Sequence, residues 1–279
     1  MSRIAWKTLS SGSSEGLLLA VDFAAGSRAP AQFADLAPLL DPSLTLWASR
    51  TPGPEDQVPP TGNAYLDWWL GEVRDSDTPV RAVLGYCAGG VFAAALAERV
   101  ADWQPAPRLI LLDPELPSTS GLYDDFHTAG DTLAALLTPA ELDAFHARGE
   151  ALRAQYGADR LPVVGRELAD TFTAAVAAAA DRLDLDEDIR DELSGAYVSL
   201  VSYLTAATTL GPLPAWSTAH ALTTTAPDQA VGHEHRIPVA HDDLLRSSET
   251  ARALEQLLAD DAADADAAPV LMPATGKAG

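Results

Sequence analysis

Cysteine is nearly absent from this chain: Cys87 is the one thiol in 279 residues. No internal disulfide can form, so the fold must rest on buried apolar surface. An exposed, reactive thiol suits a reducing compartment. Basic residues are also scarce. Eighteen Lys and Arg stand against 40 Asp and Glu, giving a formal net charge of -22. Such a surface repels phosphate backbones and anionic lipid, which argues against nucleic-acid and membrane-surface partners. No apolar run approaches the roughly 20 residues that span a bilayer. The opening residues, MSRIAWKTLSSGSSEG, lack the apolar core of a secretion signal, so the expected location is the cytoplasm. Aromatic residues make up only 6% of the chain, although 47% of it is hydrophobic. The length suits one large α/β domain or two small ones.

Against this background one stretch stands out. The apolar run Ala82-Val83-Leu84 leads into Gly85-Tyr86-Cys87-Ala88-Gly89-Gly90, and an Ala-rich helical pattern follows to about Asp102. Strand, tight turn and helix is the context in which G-x-nucleophile-x-G carries meaning. The glycines let the chain turn sharply and let the helix pack close to the strand. Cys87 would project above a sheet at a helix N-terminus. The dipole there would favour the thiolate, and the Ala88 N–H would be free to hold an oxyanion. The plain alternative is a small buried hydrophobe beside a glycine turn.

The rest of the chain reads as alternating strands and helices. Strands are expected at Gly16–Phe23, Leu44–Ala48, around Val83, at Arg108–Asp113, at Thr218–Thr225 and at Arg236–Ala240. Helices are expected at Pro30–Leu40, Asn63–Arg74, after the elbow and at Leu244–Leu258. Continuous apolar strands alternating with helices predict a mostly parallel sheet covered on both faces. Between about 120 and 210 only helical patterns appear, among them one capped by Thr138-Pro139-Ala140-Glu141 and others over Leu161–Leu183 and Asp186–Thr209. The expected organisation is therefore an α/β core in two parts, 1–119 and 211–260. A helical insertion at 120–210 would serve as a lid or as a plain subdomain, and 261–279 would form a disordered tail.

A cysteine nucleophile needs a histidine to take and return a proton, and a carboxylate to hold that histidine. Of the six histidines, His241 is expected directly after the last strand, at the sheet edge where α/β sites lie. His127 and His146 fall in the insertion and His220 inside a strand. His233 and His235 flank Glu234 in what reads as a solvated loop, and no metal motif is recognisable. Asp113 and Asp228 are strand-end carboxylates, and either could orient His241. Asp242 and Asp243 read as caps of the following helix. The second oxyanion donor should come from the loop after the first strand, Ala24-Ala25-Gly26, with the Ala25 N–H the choice.

These residues resemble the thioesterases of nonribosomal peptide and polyketide synthesis. Gly85–Gly90 is similar to the family's GYSxGG elbow, AVDFAAGS to its N-terminal oxyanion segment, and Val239–Leu245 to its closing G-x-H-F-x-M-L segment. Asp113, 26 residues after Cys87 (113 − 87), stands where the family often keeps its acid. The similarity covers roughly residues 15–260. Cysteine replaces the usual serine, the oxyanion loop lacks the family's two prolines, Val239 replaces glycine and Asp242 replaces an aromatic residue. The resemblance implies an α/β-hydrolase fold with a helical lid. It further implies an antibiotic-type biosynthetic role, with an acyl or peptidyl carrier protein as partner and phosphopantetheine arriving on that partner rather than as a bound cofactor. Cysteine variants of the family act as thioesterases or as aminoacyltransferases. An acyl-cysteine is itself a thioester and stays activated for thiols and amines. Two other readings are a dienelactone-hydrolase-like ester or lactone hydrolase with a Cys-His-Asp triad, and a non-catalytic binding protein of the same fold.

Overall fold

The computed structural model describes residues 4–13, 16–23, 31–53, 56–158, 160–211 and 214–267. Seven strands form one sheet: β1 (Trp6–Ser10), β2 (Leu17–Val21), β3 (Thr45–Ser49), β4 (Val80–Tyr86), β5 (Arg108–Leu112), β6 (His220–Thr223) and β7 (His233–Arg236). Their order is β1-β3-β2-β4-β5-β6-β7. The pairs from β3 to β7 are parallel, and β1 closes one edge antiparallel to β3. The expected mostly parallel sheet is thus observed.

Alternation along the strands explains why both faces are covered. Leu17, Leu19 and Val21 of β2 and Val83 of β4 point to one face. They pack there with α2 (Gly62–Asp75) and α3 (Gly89–Val100), whose Trp69, Leu70, Phe92 and Leu96 are fully buried. Leu18, Ala20 and Leu84 point to the other face. They meet the short helix α1 (Phe33–Leu36) and the C-terminal helix α8 (Ser248–Ala267) through Phe33, Leu36, Leu254 and Leu258. Between β5 and β6 lie α4 (Thr119–Thr132), α5 (Pro139–Tyr156), α6 (Leu161–Leu183) and α7 (Glu187–Ala207). These four share a third core built on Phe126, Phe145, Leu168, Phe172 and Tyr197. The Thr138 cap forms as expected, with Glu141 reaching back to the Thr138 N–H at 2.7 Å.

Four expectations need correction. Strand β1 was not anticipated: it is a five-residue edge strand, half exposed, whose sequence WKTLS carries no apolar run. The last strand is not Arg236–Ala240 but His233–Arg236. The Ile237 N–H makes the final bond, to the Thr223 carbonyl at 2.9 Å, and Pro238 has no N–H with which to continue. Asp242 and Asp243 do not cap the C-terminal helix. They sit in the first turn of a 3-10 segment, His241–Arg246, and the Ser247 hydroxyl accepts from the Glu249 N–H at 3.1 Å instead. Finally, α8 continues to Ala267, past the expected start of the tail, because Ala-rich sequence favours helix.

Candidate active site

The turn between β4 and α3 is held by steric need. A Cβ on Gly89 would overlap the Val21 carbonyl oxygen, and one on Gly85 would come within 2.6 Å of the Gly90 Cα. Glycine at both positions lets β4, α3 and β2 converge. Cys87 sits between them in the left-handed region, at φ 49°. That conformation costs a non-glycine residue on the order of 1–3 kcal/mol. The cost is offset by the frame: the Cys87 N–H donates to the Leu112 carbonyl at 3.0 Å, and the Cys87 carbonyl accepts from the Gly90 N–H at 3.0 Å. The half-buried thiol faces a cavity of about 140 Å³ lined by Ala88, Glu115, Pro117, Leu122, Asp125 and Leu204, among others.

Asp113 follows β5 in the same strained region, at φ 38°. Its Oδ1 accepts from the Thr224 N–H and its Oδ2 from the Thr224 hydroxyl, both at 2.7 Å. The same Oδ2 accepts from His241 Nδ1 at 2.8 Å. Burial pushes the Asp113 carboxyl up, but the bonds from His241 and Thr224 outweigh it, and the group ends below its ordinary value. His241 is raised in turn, chiefly by its bond to Asp113, against a smaller downward pull from burial. Asp228, the other candidate acid, lines a second cavity of about 140 Å³ together with Asp113, Glu115 and His241. The ring nitrogen, however, is bonded to Asp113.

Cys87 and His241 are not hydrogen-bonded to each other. With Nδ1–H donating to Asp113, the His241 Nε2 is an acceptor, and it takes the Tyr86 hydroxyl at 3.1 Å. The two rings stack at 5.6 Å. The thiol instead donates to Glu115 Oε2 at 3.8 Å. The expected stabilisation of the thiolate is therefore reversed. Burial first, then Glu115, push the Cys87 thiol up to about 12, with only the Ala88 N–H pulling down. Sequence reasoning missed both Tyr86 and Glu115. Tyr86 belongs to the elbow motif, but the motif gives its hydroxyl no role; Glu115, two residues after Asp113, belongs to no motif.

Ala25 lies outside the described residues, while the Ala88 N–H lies against the sulfur as the elbow requires. The other histidines are elsewhere. His127 and His146 stack on each other between α4 and α5, each with a carboxylate, Glu150 and Asp131. His233 and His235 are in β7 rather than a solvated loop, and both stack on His220.

No family model and no curated protein matches the sequence. Solved structures do match. One is a four-domain nonribosomal peptide synthetase, holo-AB3403 bound to AMP and glycine, at 17% identity and TM-score 0.57, over 92% of this chain and 20% of that one. Another is the Vlm2 thioesterase domain with genetically encoded 2,3-diaminopropionic acid, bound with a dodecadepsipeptide, at 18% identity and TM-score 0.51, over 91% of this chain and 98% of that one. The fold is that of the α/β-hydrolases. This chain spans only a fifth of the synthetase. Among the described residues of this α/β-hydrolase fold, no helix is long and apolar enough to cross a membrane.

The Tyr86 hydroxyl competes with the thiol for the one free imidazole nitrogen. Tyr86→Phe keeps the stacked ring and deletes that competitor. A side-chain hydrogen bond is worth about 1 kcal/mol net, so the expected outcome is a rise of about fivefold in the rate at which Cys87 is alkylated by iodoacetamide. A fall in that rate would instead make the hydroxyl a support for the ring.

Proposed function

We propose that this protein is a thioesterase-type enzyme of natural-product biosynthesis. It takes an acyl or aminoacyl group from a carrier-protein phosphopantetheine thioester onto Cys87 and passes it to water or to an acceptor. The observation that carries this reading is the elbow itself: a strained cysteine facing a cavity, with Asp113 at the next strand end bonded at 2.8 Å to His241, which follows the last strand.

The steps follow from proton positions. His241 Nε2 turns from Tyr86 to the thiol and takes its proton as Sγ attacks the thioester carbonyl carbon. With a thiol raised to about 12, transfer to the base accompanies attack rather than preceding it. Negative charge on the carbonyl oxygen is held by the Ala88 N–H and, in this proposal, by the Ala25 N–H. The tetrahedral intermediate collapses, the carbon–sulfur bond to pantetheine breaks, and His241 returns the proton to the leaving sulfur. The second half repeats these moves with water, an amine or a thiol as attacker, and Asp113 orients the imidazole throughout. The helical insertion, α4 to α7, would shield the acyl group from water.

Acyl-Cys87 is a thioester and reacts more readily with thiols and amines than with water. Transfer to an unloaded acceptor carrier protein is therefore expected to outrun hydrolysis. Intact-mass spectrometry with an acyl-loaded donor carrier, with and without an acceptor carrier, checks this. Acyl mass moving to the acceptor supports transfer. Free acid formed at a rate the acceptor does not change means hydrolysis. No mass gain on this chain and no turnover of the donor would remove the proposal.

A further inference from the structure

Resting on that reading, we infer that Glu115 selects the acyl group. It binds an ammonium carried on the carbon next to the thioester carbonyl, so that the group Cys87 captures is an aminoacyl group with a free α-amine.

The position of Glu115 is the main argument. It lines both cavities, the one that holds Cys87 and the one that holds Asp113 and His241, and so stands between the thiol and the base. Its Oε2 lies 3.8 Å from Sγ. In an acyl-cysteine the α-nitrogen is three bonds from sulfur, a reach of about 3–4 Å with ordinary bond lengths. A carboxylate at this distance can accept a short hydrogen bond from that nitrogen. Among the described residues Glu115 has no ion-pair partner, and neither cavity lining contains Lys or Arg. The titratable groups that share a cavity with it are Cys87 and Asp125 on one side and Asp113, Asp228 and His241 on the other, and these carboxylates leave a surplus of negative charge.

Reactivity supplies an independent argument. A carboxylate beside a nucleophilic thiol opposes loss of its proton, and Glu115 does so here. For plain acyl capture it is a handicap. An ammonium docked on Glu115 cancels that charge when a substrate of the right kind is in place, so the same residue that suppresses the idle thiol releases it for an aminoacyl donor.

The test uses the full chain and two donors of equal carbon skeleton, alanyl-pantetheine and propionyl-pantetheine, with wild type and Glu115→Gln. The readout is the rate of acyl mass gain at Cys87. Alanyl thioesters are intrinsically more reactive, and comparing the alanyl/propionyl rate ratio between the two proteins cancels that difference. The ratio is expected to fall about tenfold in Glu115→Gln, the size expected for a charged hydrogen bond discounted for solvent. Alkylation of Cys87 by neutral iodoacetamide is expected to become faster in the same variant. Opposite movements of these two rates are not produced by general damage to the site. An unchanged ratio, or alkylation that slows together with alanyl capture, overturns the inference while leaving acyl capture standing. Failure of both donors to acylate wild-type Cys87 overturns acyl capture and the inference together.

Discussion

Cys87→Ala is expected to abolish acyl capture, lowering turnover of a carrier-bound thioester by about 10⁴-fold or more, the scale on which removal of a nucleophile acts. The fold should survive. Alanine at 87 keeps the Cys87 N–H bond to Leu112 and the packing around Gly85 and Gly89, and it bears the same φ of 49°. Thermal unfolding should therefore change little, which separates lost chemistry from lost structure. Cys87→Gly sharpens the point: relief of the left-handed conformation should raise stability by about 1 kcal/mol while activity stays absent. Donor turnover that is undiminished in Cys87→Ala would move the chemistry off this residue.

Asp113→Asn is the second large effect. General acid–base assistance is worth about 10²–10⁴-fold, and in a serine protease the matching change costs about 10⁴, so a loss of at least 10²-fold in capture rate is expected. Asparagine can donate its amide to Nδ1, which would leave the proton on Nε2, the atom that must accept from the thiol. The pH profile should shift as well. The base must be neutral, so activity rises as pH passes through the His241 value, and Asp113 raises that value. Without the carboxylate the rising limb moves to lower pH, although the plateau is lower. If Asp228→Asn is the crippling change and Asp113→Asn is mild, the wrong carboxylate has been placed beside the imidazole.

Much of this arrangement could be read in the residues, for identifiable physical reasons. β2, most of β4 and β5 after Arg108 are buried on both sides and so appear as apolar runs, LLLAV, AVLGY and LILL. The elbow was visible because three chain segments converge where only glycine fits, a constraint written into consecutive residues. Helix α5 announced itself through Thr138 and Glu141, whose reciprocal bonds need only a spacing of three. What failed was governed by edges and by distance. β1 and β7 lie at the two sheet edges, half exposed, where the apolar pattern fades and pairing alone makes the strand. The bond from Tyr86 to His241 joins residues 155 positions apart, and no local pattern encodes it. The state of the thiol was misjudged because a helix terminus is a local feature, while the burial that chiefly raises the thiol, and the Glu115 carboxylate beside it, arise only through the fold.

The separation along the chain also fixes when the reactive group acquires its partner. The elbow is local: β4, the turn and α3 are contiguous, and Cys87 takes its strained place once these pack with β2 and β5. The base comes from 154 positions later (241 − 87). It is seated by Leu244 and Leu245, which share a core with Leu254, Leu257 and Leu258 of α8. Before β6 can pair with β5, the chain must close across the whole helical insertion. Loop-closure entropy grows only slowly with length, by about 0.6 kcal/mol per doubling, and α4 to α7 have a core of their own that draws their ends together. The pairing is thermodynamically cheap but high in contact order, hence slow. During synthesis the thiol therefore emerges 154 positions before the imidazole (241 − 87), and a chain that ends before His241 has the elbow sequence without this base.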